Sequence, residues 1–246
     1  MIDRNLGRAG TSRVLPPGQR DADSKRRFGT HLHCPPPDLP EHPALALRVL
    51  GEPEASIPMT ALLELPRLRI RADFHCVAGW SATDLEWEGV PFVTFWSQVI
   101  GPMLPLEGLD PSHLVLVRLD DYRCVVDLRD ALTDNVLLAD TLDDEPLDRD
   151  QGGPIRFVSP DQYGFVSTKH LTAIKVHAGE PRENFGAASR LARNLMIRPL
   201  FARHPRSRVW SNERNGQLPT WLVLPIYRAI APVIARLSAA GMVKPD

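Results

Sequence analysis

The residues best equipped for chemistry lie in one short stretch. It runs Asp73-Phe74-His75-Cys76-Val77-Ala78-Gly79-Trp80-Ser81 and continues through Asp84, Trp87 and Glu88-Gly89-Val90-Pro91. Cys76 ends an alternating run just before Gly79 and Trp80, where its sulfur can project into a pocket. As a thiolate it can ligate a soft metal; as a thiol it is a small buried hydrophobe. His75 likewise reads as a ligand or as a hydrogen-bonded structural histidine. The chain has 3 cysteines, Cys34, Cys76 and Cys124. An odd, widely spaced set does not make a disulfide framework and suits a reducing compartment. Cys124 is given no role. His31-Leu32-His33-Cys34 offers metal-donor types, but it lacks a fourth ligand and runs into Pro35-Pro36-Pro37, so it reads as a tail.

These residues need a frame. Residues 45–50 read as a strand closed by Gly51 and Pro53, and residues 60–65 as a short helix with Thr60 as cap and Pro66 as stop. Residues 69–74 alternate as a strand leading into Cys76. Residues 92–100 read as a helix, 114–119 as a strand, and 129–139 as a helix with Asp127 or Asp130 near its start. Residues 155–158 and 171–176 are further strands. Short strands, short helices and 24 prolines point to an irregular α+β domain. With 43% hydrophobic and 24% charged residues, the chain is not collagen-like, a disulfide scaffold or wholly disordered.

The stretch around Cys76 resembles the molybdopterin-binding domain of sulfite oxidase-like oxidoreductases: a strand, Cys-x-x-x-Trp-Ser, then Trp-x-Gly-Val-Pro. Three later blocks follow in the family's order. They are Asp121-Tyr122 with Asp130-Ala131-Leu132; Leu137-Leu138-Ala139 with Leu142-Asp143-Asp144-Glu145-Pro146-Leu147; and Gly152-Gly153-Pro154-Ile155-Arg156 with Pro160, Tyr163-Gly164-Phe165, Ser167-Thr168-Lys169 and Ile174. The resemblance covers roughly residues 45–176. It implies a fold of mixed sheets with short helices, to which this chain adds a C-terminal helical extension.

The resemblance also implies roles. Cys76 would ligate molybdenum in a molybdopterin cofactor, completing a sulfur-rich set with the pterin's own donors. His75 would lie against that cofactor. Arg156 and Lys169 would hold its phosphate, a planar fork beside a point charge, with Ser167 and Thr168 completing the anion cradle. Gln151, five residues before Arg156, takes a position that contacts the cofactor in similar proteins. Tyr122 falls where the family places an active-site tyrosine, able to hydrogen-bond a substrate oxygen.

The sequence also departs from the family's sulfite oxidases. They carry arginines four and five residues after the metal-binding cysteine, where this chain has Trp80 and Ser81. Leu119 replaces a hydroxyl residue that often helps hold the cofactor. The pattern is closer to the catalytic subunit of the bacterial methionine sulfoxide reductase. The expected reaction is two-electron oxygen-atom transfer on a small S-oxide or N-oxide type substrate. No haem-attachment motif or iron–sulfur cysteine set is present, so electrons must pass to or from a separate partner. The alternative is a cofactor-free binding or scaffold protein that retains the fold.

The net charge of -1 argues against a nucleic-acid binder, but it is a cancellation. Residues 31–150 hold twenty-two Asp and Glu against eight Lys and Arg, whereas residues 181–246 hold eleven Lys and Arg against three acids. Three regions are expected: a basic, mostly disordered or extended tail over 1–42, the cofactor domain over 43–180, and a basic helical extension over 181–246. In the extension, 186–200 and 218–240 read as helices, the second kinked at Pro232. That segment packs on the domain, docks a redox partner or makes peripheral membrane contact. Ser24-Lys25-Arg26-Arg27-Phe28 looks like a twin-arginine signal but lacks the apolar stretch such a signal needs, so a cytoplasmic location is expected.

Overall fold

The computed structural model describes residues 14–22, 38–52, 54–104, 110–120, 122–181, 206–214, 220–222, 224–226 and 228–229. In chain order the elements are β1 (Asp21–Ala22), β2 (Ala44–Val49), β3 (Ala55–Pro58), α1 (Met59–Leu63), β4 (Leu68–Cys76), β5 (Trp80–Pro91) and α2 (Phe92–Phe95). They continue with β6 (His113–Arg118), β7 (Arg123–Asp127), α3 (Leu128–Ala131), β8 (Leu137–Leu142), β9 (Glu145–Pro146), β10 (Arg156–Val158) and β11 (Leu171–His177). A π turn at Trp96–Ile100 and a 3-10 turn at Gly101–Met103 prolong α2.

Two sheets result. One is ordered β3-β2-β11-β6-β7, with β2 and β11 parallel and its other pairs antiparallel. The other runs β1-β5-β8-β10, with β4 paired to β5 and β9 to β8. Alternation in β2 turns Leu45, Leu47 and Val49 inward, into one core cluster with Ile174 and Val176 of β11 and Leu114 and Leu116 of β6. Phe92 and Phe95 close this core, and Phe92 meets Phe157 edge-on at 5.4 Å between ring centres. A second cluster gathers Cys76, Trp80, Ala82, Trp87, Leu137, Ala139 and Val158 around the second sheet. The α+β class expected from the sequence, mixed sheets with short helices, is the class observed.

Local differences have local causes. Thr60 lies inside α1 and caps nothing; Pro58 precedes the helix and supplies no capping side chain. The helix expected over 129–139 is four residues long. Asp127 caps it, accepting from the Arg129 N–H at 2.9 Å, and Thr133 then closes a turn by donating to the Asp130 carbonyl at 3.0 Å. Leu137, Leu138 and Ala139 are fully buried in β8, paired on both edges by β5 and β10. That two-sided pairing outweighs the helix propensity of leucine and alanine. The strand β5 was not anticipated, because its polar residues mask the alternation. The helix expected at 186–200 and the kink at Pro232 lie outside the described residues, as does the His31–Cys34 cluster.

Candidate functional site

Cys76 is the last residue of β4 and opens a tight turn into β5. The Gly79 N–H donates to the Cys76 carbonyl at 3.0 Å. Gly79 has φ +89°, and a Cβ there would stand 2.8 Å from the Gly18 carbonyl oxygen, so the turn requires glycine. The thiol is buried and receives a hydrogen bond from the Ala78 N–H. Burial pushes its pKa up to about 11, against the opposing pull of that bond and of Arg214. The protein alone therefore presents a thiol; a bound metal would remove the proton.

His75, also buried, points to the other side of β4 and meets the Ser81 hydroxyl at 2.7 Å. Ser81 also donates to Gln19 Oε1 at 3.2 Å. Gln19 in turn donates to the Cys76 carbonyl at 3.1 Å. Residues 14–22, expected in a tail, are thus folded against the cysteine turn. Arg20 exchanges backbone hydrogen bonds with Gly79 and Ser81, and β1 lies parallel to β5.

The basic C-terminal part returns to the same place. Arg206 and Arg208 both clamp the buried Asp130, at 2.9 and 2.7 Å. Val209 and Ser207 are fully buried, and Arg208 bridges to Gln162. Arg214 is 2% exposed. It donates to the Val77 carbonyl at 2.6 Å, to the Pro17 carbonyl at 3.0 Å and to Asn212 Oδ1 at 3.1 Å, with its guanidinium 4.7 Å over the Tyr163 ring. The helical residues that follow set Leu224 against Gly18 and Gly79. Trp221, Leu222 and Ile226 remain exposed on the outer side.

A cluster of cations occupies the other part of the site. Arg156, on β10, is 5% exposed and sits 5.3 and 5.1 Å over the rings of Phe74 and Trp87. One of its terminal nitrogens donates to the Gln151 carbonyl at 3.0 Å, while its buried Nε has no partner. Lys169 is partly buried and donates to the Asp150 carbonyl. Burial, then Arg156 and Arg118, lower its pKa to about 7. Arg118 ends β6, 3% exposed, with Asp120 at 3.1 Å and its guanidinium 5.3 Å over Tyr122. Burial also depresses the pKa of Arg118, and burial together with Arg118 depresses that of Arg156. The backbone explains the convergence: Leu171 pairs with Arg118 in the β11–β6 register, and Phe157 N–H bonds the Thr168 carbonyl at 2.9 Å. The segment carrying Lys169 therefore lies between the strands carrying the two arginines. Gly152, at φ +106°, packs on Lys169; a Cβ there would fall 2.7 Å from the lysine's Cβ and Cγ.

Placing charge this deep costs several kcal/mol per ion unless an opposite charge answers it. An orphaned guanidinium nitrogen beside a depressed lysine fits an anionic group such as a phosphate. The remaining predicted residues are near but engaged. Gln151 Oε1 accepts from the Asp148 N–H at 3.1 Å. Ser167 Oγ accepts from the Ser159 N–H at 3.2 Å, and the Thr168 hydroxyl donates to the Val166 carbonyl at 2.9 Å. Tyr122 donates to the Phe165 carbonyl at 3.3 Å, and burial raises its pKa well above the ordinary range. The segment Tyr163-Gly164-Phe165 connects it to the cysteine strand, because the Gly164 N–H bonds the His75 carbonyl at 2.7 Å. Cys124 is a core residue whose pKa burial raises to about 12.

Sequence reasoning missed Gln19, Arg118 and Arg214. Arg118 had a faint signal, a charge ending an apolar strand; the other two had none, because their contacts are remote in sequence. Among the described residues there is no cluster of three His, Cys, Asp or Glu that could hold a metal ion by itself.

A family model described as the oxidoreductase molybdopterin binding domain matches residues 32–185. The chain is 30% identical over 112 residues to an uncharacterized oxidoreductase, YuiH, of Bacillus subtilis, covering 45% of this chain and 52% of that protein. It is 25% identical over 167 residues to the protein-methionine-sulfoxide reductase catalytic subunit MsrP of Pseudomonas syringae pv. tomato, covering 63% of this chain and 48% of that one. The chain thus spans about half the length of these relatives. The crystal structure of the sulfane dehydrogenase SoxCD from Paracoccus pantotrophus superposes with a TM-score of 0.50 at 19% identity, over 60% of this chain and 42% of that one. At that identity the likeness shows a shared fold.

Proposed function

Because the chain belongs to the oxidoreductase molybdopterin-binding domain family, we propose that it is a molybdenum-cofactor enzyme. It catalyses two-electron oxygen-atom transfer on a small substrate of S-oxide or N-oxide type, with Cys76 as the protein ligand to the metal. The observation that carries this is the buried Arg156, whose Nε lacks a partner beside the depressed Lys169. When bound, the cofactor supplies a sulfur-ligated metal that exchanges two electrons with an oxygen-atom donor or acceptor.

The chain's own residues hold and screen that group. Arg156 and Lys169 take its phosphate, Arg156 being aimed by the Gln151 carbonyl. Cys76 offers its sulfur from a rigid turn, and Trp80 and Phe74 shield it, with ring centres 5.9 Å apart. Tyr122 keeps its phenol proton through the physiological range and acts as a hydrogen-bond donor, not a base. Trp80 and Ser81 are buried and neutral, which suits an uncharged substrate. The relative named for protein-methionine sulfoxide supports an S-oxide, and its designation as a catalytic subunit supports a separate electron-transfer partner. Cytoplasmic location and peripheral membrane contact belong to the same proposal. Exposed Trp221, Leu222 and Ile226 support the contact, and no helix among the described residues is long and apolar enough to cross a membrane.

Elemental analysis of protein purified from a host that makes the cofactor tests the reading. Near-stoichiometric molybdenum, lost in Cys76→Ser, is expected. A folded wild-type protein without molybdenum overturns it in favour of a cofactor-free binding or scaffold protein.

A further inference from the structure

The turn that carries Cys76 is gripped from opposite ends of the chain. Two consecutive carbonyls of that turn each accept a side-chain hydrogen bond: that of Cys76 from Gln19 at 3.1 Å, and that of Val77 from Arg214 at 2.6 Å. The two donors are themselves joined. Arg214 bonds the Pro17 carbonyl at 3.0 Å, and Gln19 also bonds the Tyr163 phenol, over whose ring Arg214 is stacked.

We propose that Arg214 and Gln19 are positioning residues that fix the turn bearing Cys76 and so set the direction of its sulfur toward the metal. This rests on the reading that Cys76 is the metal ligand. With both carbonyls held, the two rigid peptide units on either side of Val77 keep their orientation, and the turn that begins at the Cα of Cys76 keeps its path. The turn has no room for a side chain at Gly79, where a Cβ would stand 2.8 Å from the Gly18 carbonyl oxygen, and the Gly79 N–H is itself bonded to the Cys76 carbonyl at 3.0 Å. Arg214 suits the task for a physical reason. Its planar fork has five donors in fixed directions, so one side chain ties Val77, Pro17 and Asn212 at once. A role in packing alone would be met at less desolvation cost by an apolar side chain of similar size. Arg214 also pulls the Cys76 pKa down through its charge; the hydrogen bonds that both residues make to the turn carry the positioning.

The test uses loaded wild-type enzyme beside Arg214→Met, Arg214→Lys and Gln19→Leu. Molybdenum content, thermal midpoint, the Mo(V) electron paramagnetic resonance signal and steady-state kinetics are measured on each. Arg214→Met is expected to keep its metal and show a shifted or broadened Mo(V) signal. Its kcat should fall about 10- to 100-fold, the range for residues that orient a metal's ligands, with KM within about 2-fold. Arg214→Lys keeps one carbonyl bond and should fall between wild type and Arg214→Met. A loaded Arg214→Met with wild-type signal and kcat overturns the proposal. If Arg214→Met does not fold, Gln19→Leu carries the decision, and an unshifted Mo(V) signal there overturns it equally. Wild-type protein without molybdenum would instead refute the cofactor reading, so the two failures are distinguishable.

Discussion

Lys169→Met in cofactor-free protein should reverse the usual sense of a damaging substitution, because Lys169 is a cation held among cations. Its pKa is about 7 in the folded chain, from an ordinary 10.5. Between those values the unfolded chain binds more protons than the folded one, so stability rises with pH across the window. Below pH 7 folding must bury a charged lysine and the full penalty applies; above about 10.5 neither state is charged and the penalty is gone. From pH 6 to 9 the depressed value corresponds to about 3 kcal/mol. Contact of part of the side chain with solvent reduces this to about 1–3 kcal/mol. The assay is denaturant unfolding of both cofactor-free proteins across that range, the difference cancelling other titrating groups. Lys169→Met should be the more stable protein at pH 6, with the gap closing by roughly that amount at pH 9. The same variant should retain less cofactor. Parallel pH profiles, or a less stable variant at pH 6, would refute the argument that these cations await an anion.

Three further outcomes follow from the geometry. Gly152→Ala should lower stability by about 1–3 kcal/mol, because a side chain at φ +106° is strained and meets Lys169; thermal unfolding and molybdenum retention read it together. Asp130→Asn removes the carboxylate shared by Arg206 and Arg208, both partly exposed, and should cost roughly 1 kcal/mol while speeding protease cleavage near residues 206–214, most clearly at low salt. Anionic vesicles should co-sediment the protein in a salt-sensitive way, weakened in the Trp221→Ser, Leu222→Ser double variant; no pelleting at low salt would dismiss membrane contact.

What could be read from the sequence depended on how local the cause was. The strand into Cys76 and the glycine of its turn were visible because alternation and turn chemistry act over a few residues. Leu137-Leu138-Ala139 misled because its identity as a strand comes from partners on both sides, Val90 and Pro91 on β5 and Phe157 and Val158 on β10. Arg156 and Lys169 were legible only through the family pattern, and Arg118 was not legible as their neighbour, because only sheet register brings it there. The basic ends looked like appendages. Charge composition marked them as distinct, but nothing in it shows that Arg206 and Arg208 answer an acid of the body, Asp130, within the same molecule.

The grip on the cysteine turn has a consequence for the order of synthesis. Arg214 reaches Val77 across 137 positions and Pro17 across 197, so these contacts close among the longest loops of the chain. During translation the strand ending in Cys76 emerges long before residue 214, and the turn waits with one of its two carbonyl restraints missing. On the proposed reading, cofactor bound at that stage would meet a cysteine turn held by Gln19 but not yet by Arg214. On the same reading, a protein stopped before residue 214 would carry Arg156 and Lys169 but lack one of the two side-chain restraints on the turn of Cys76.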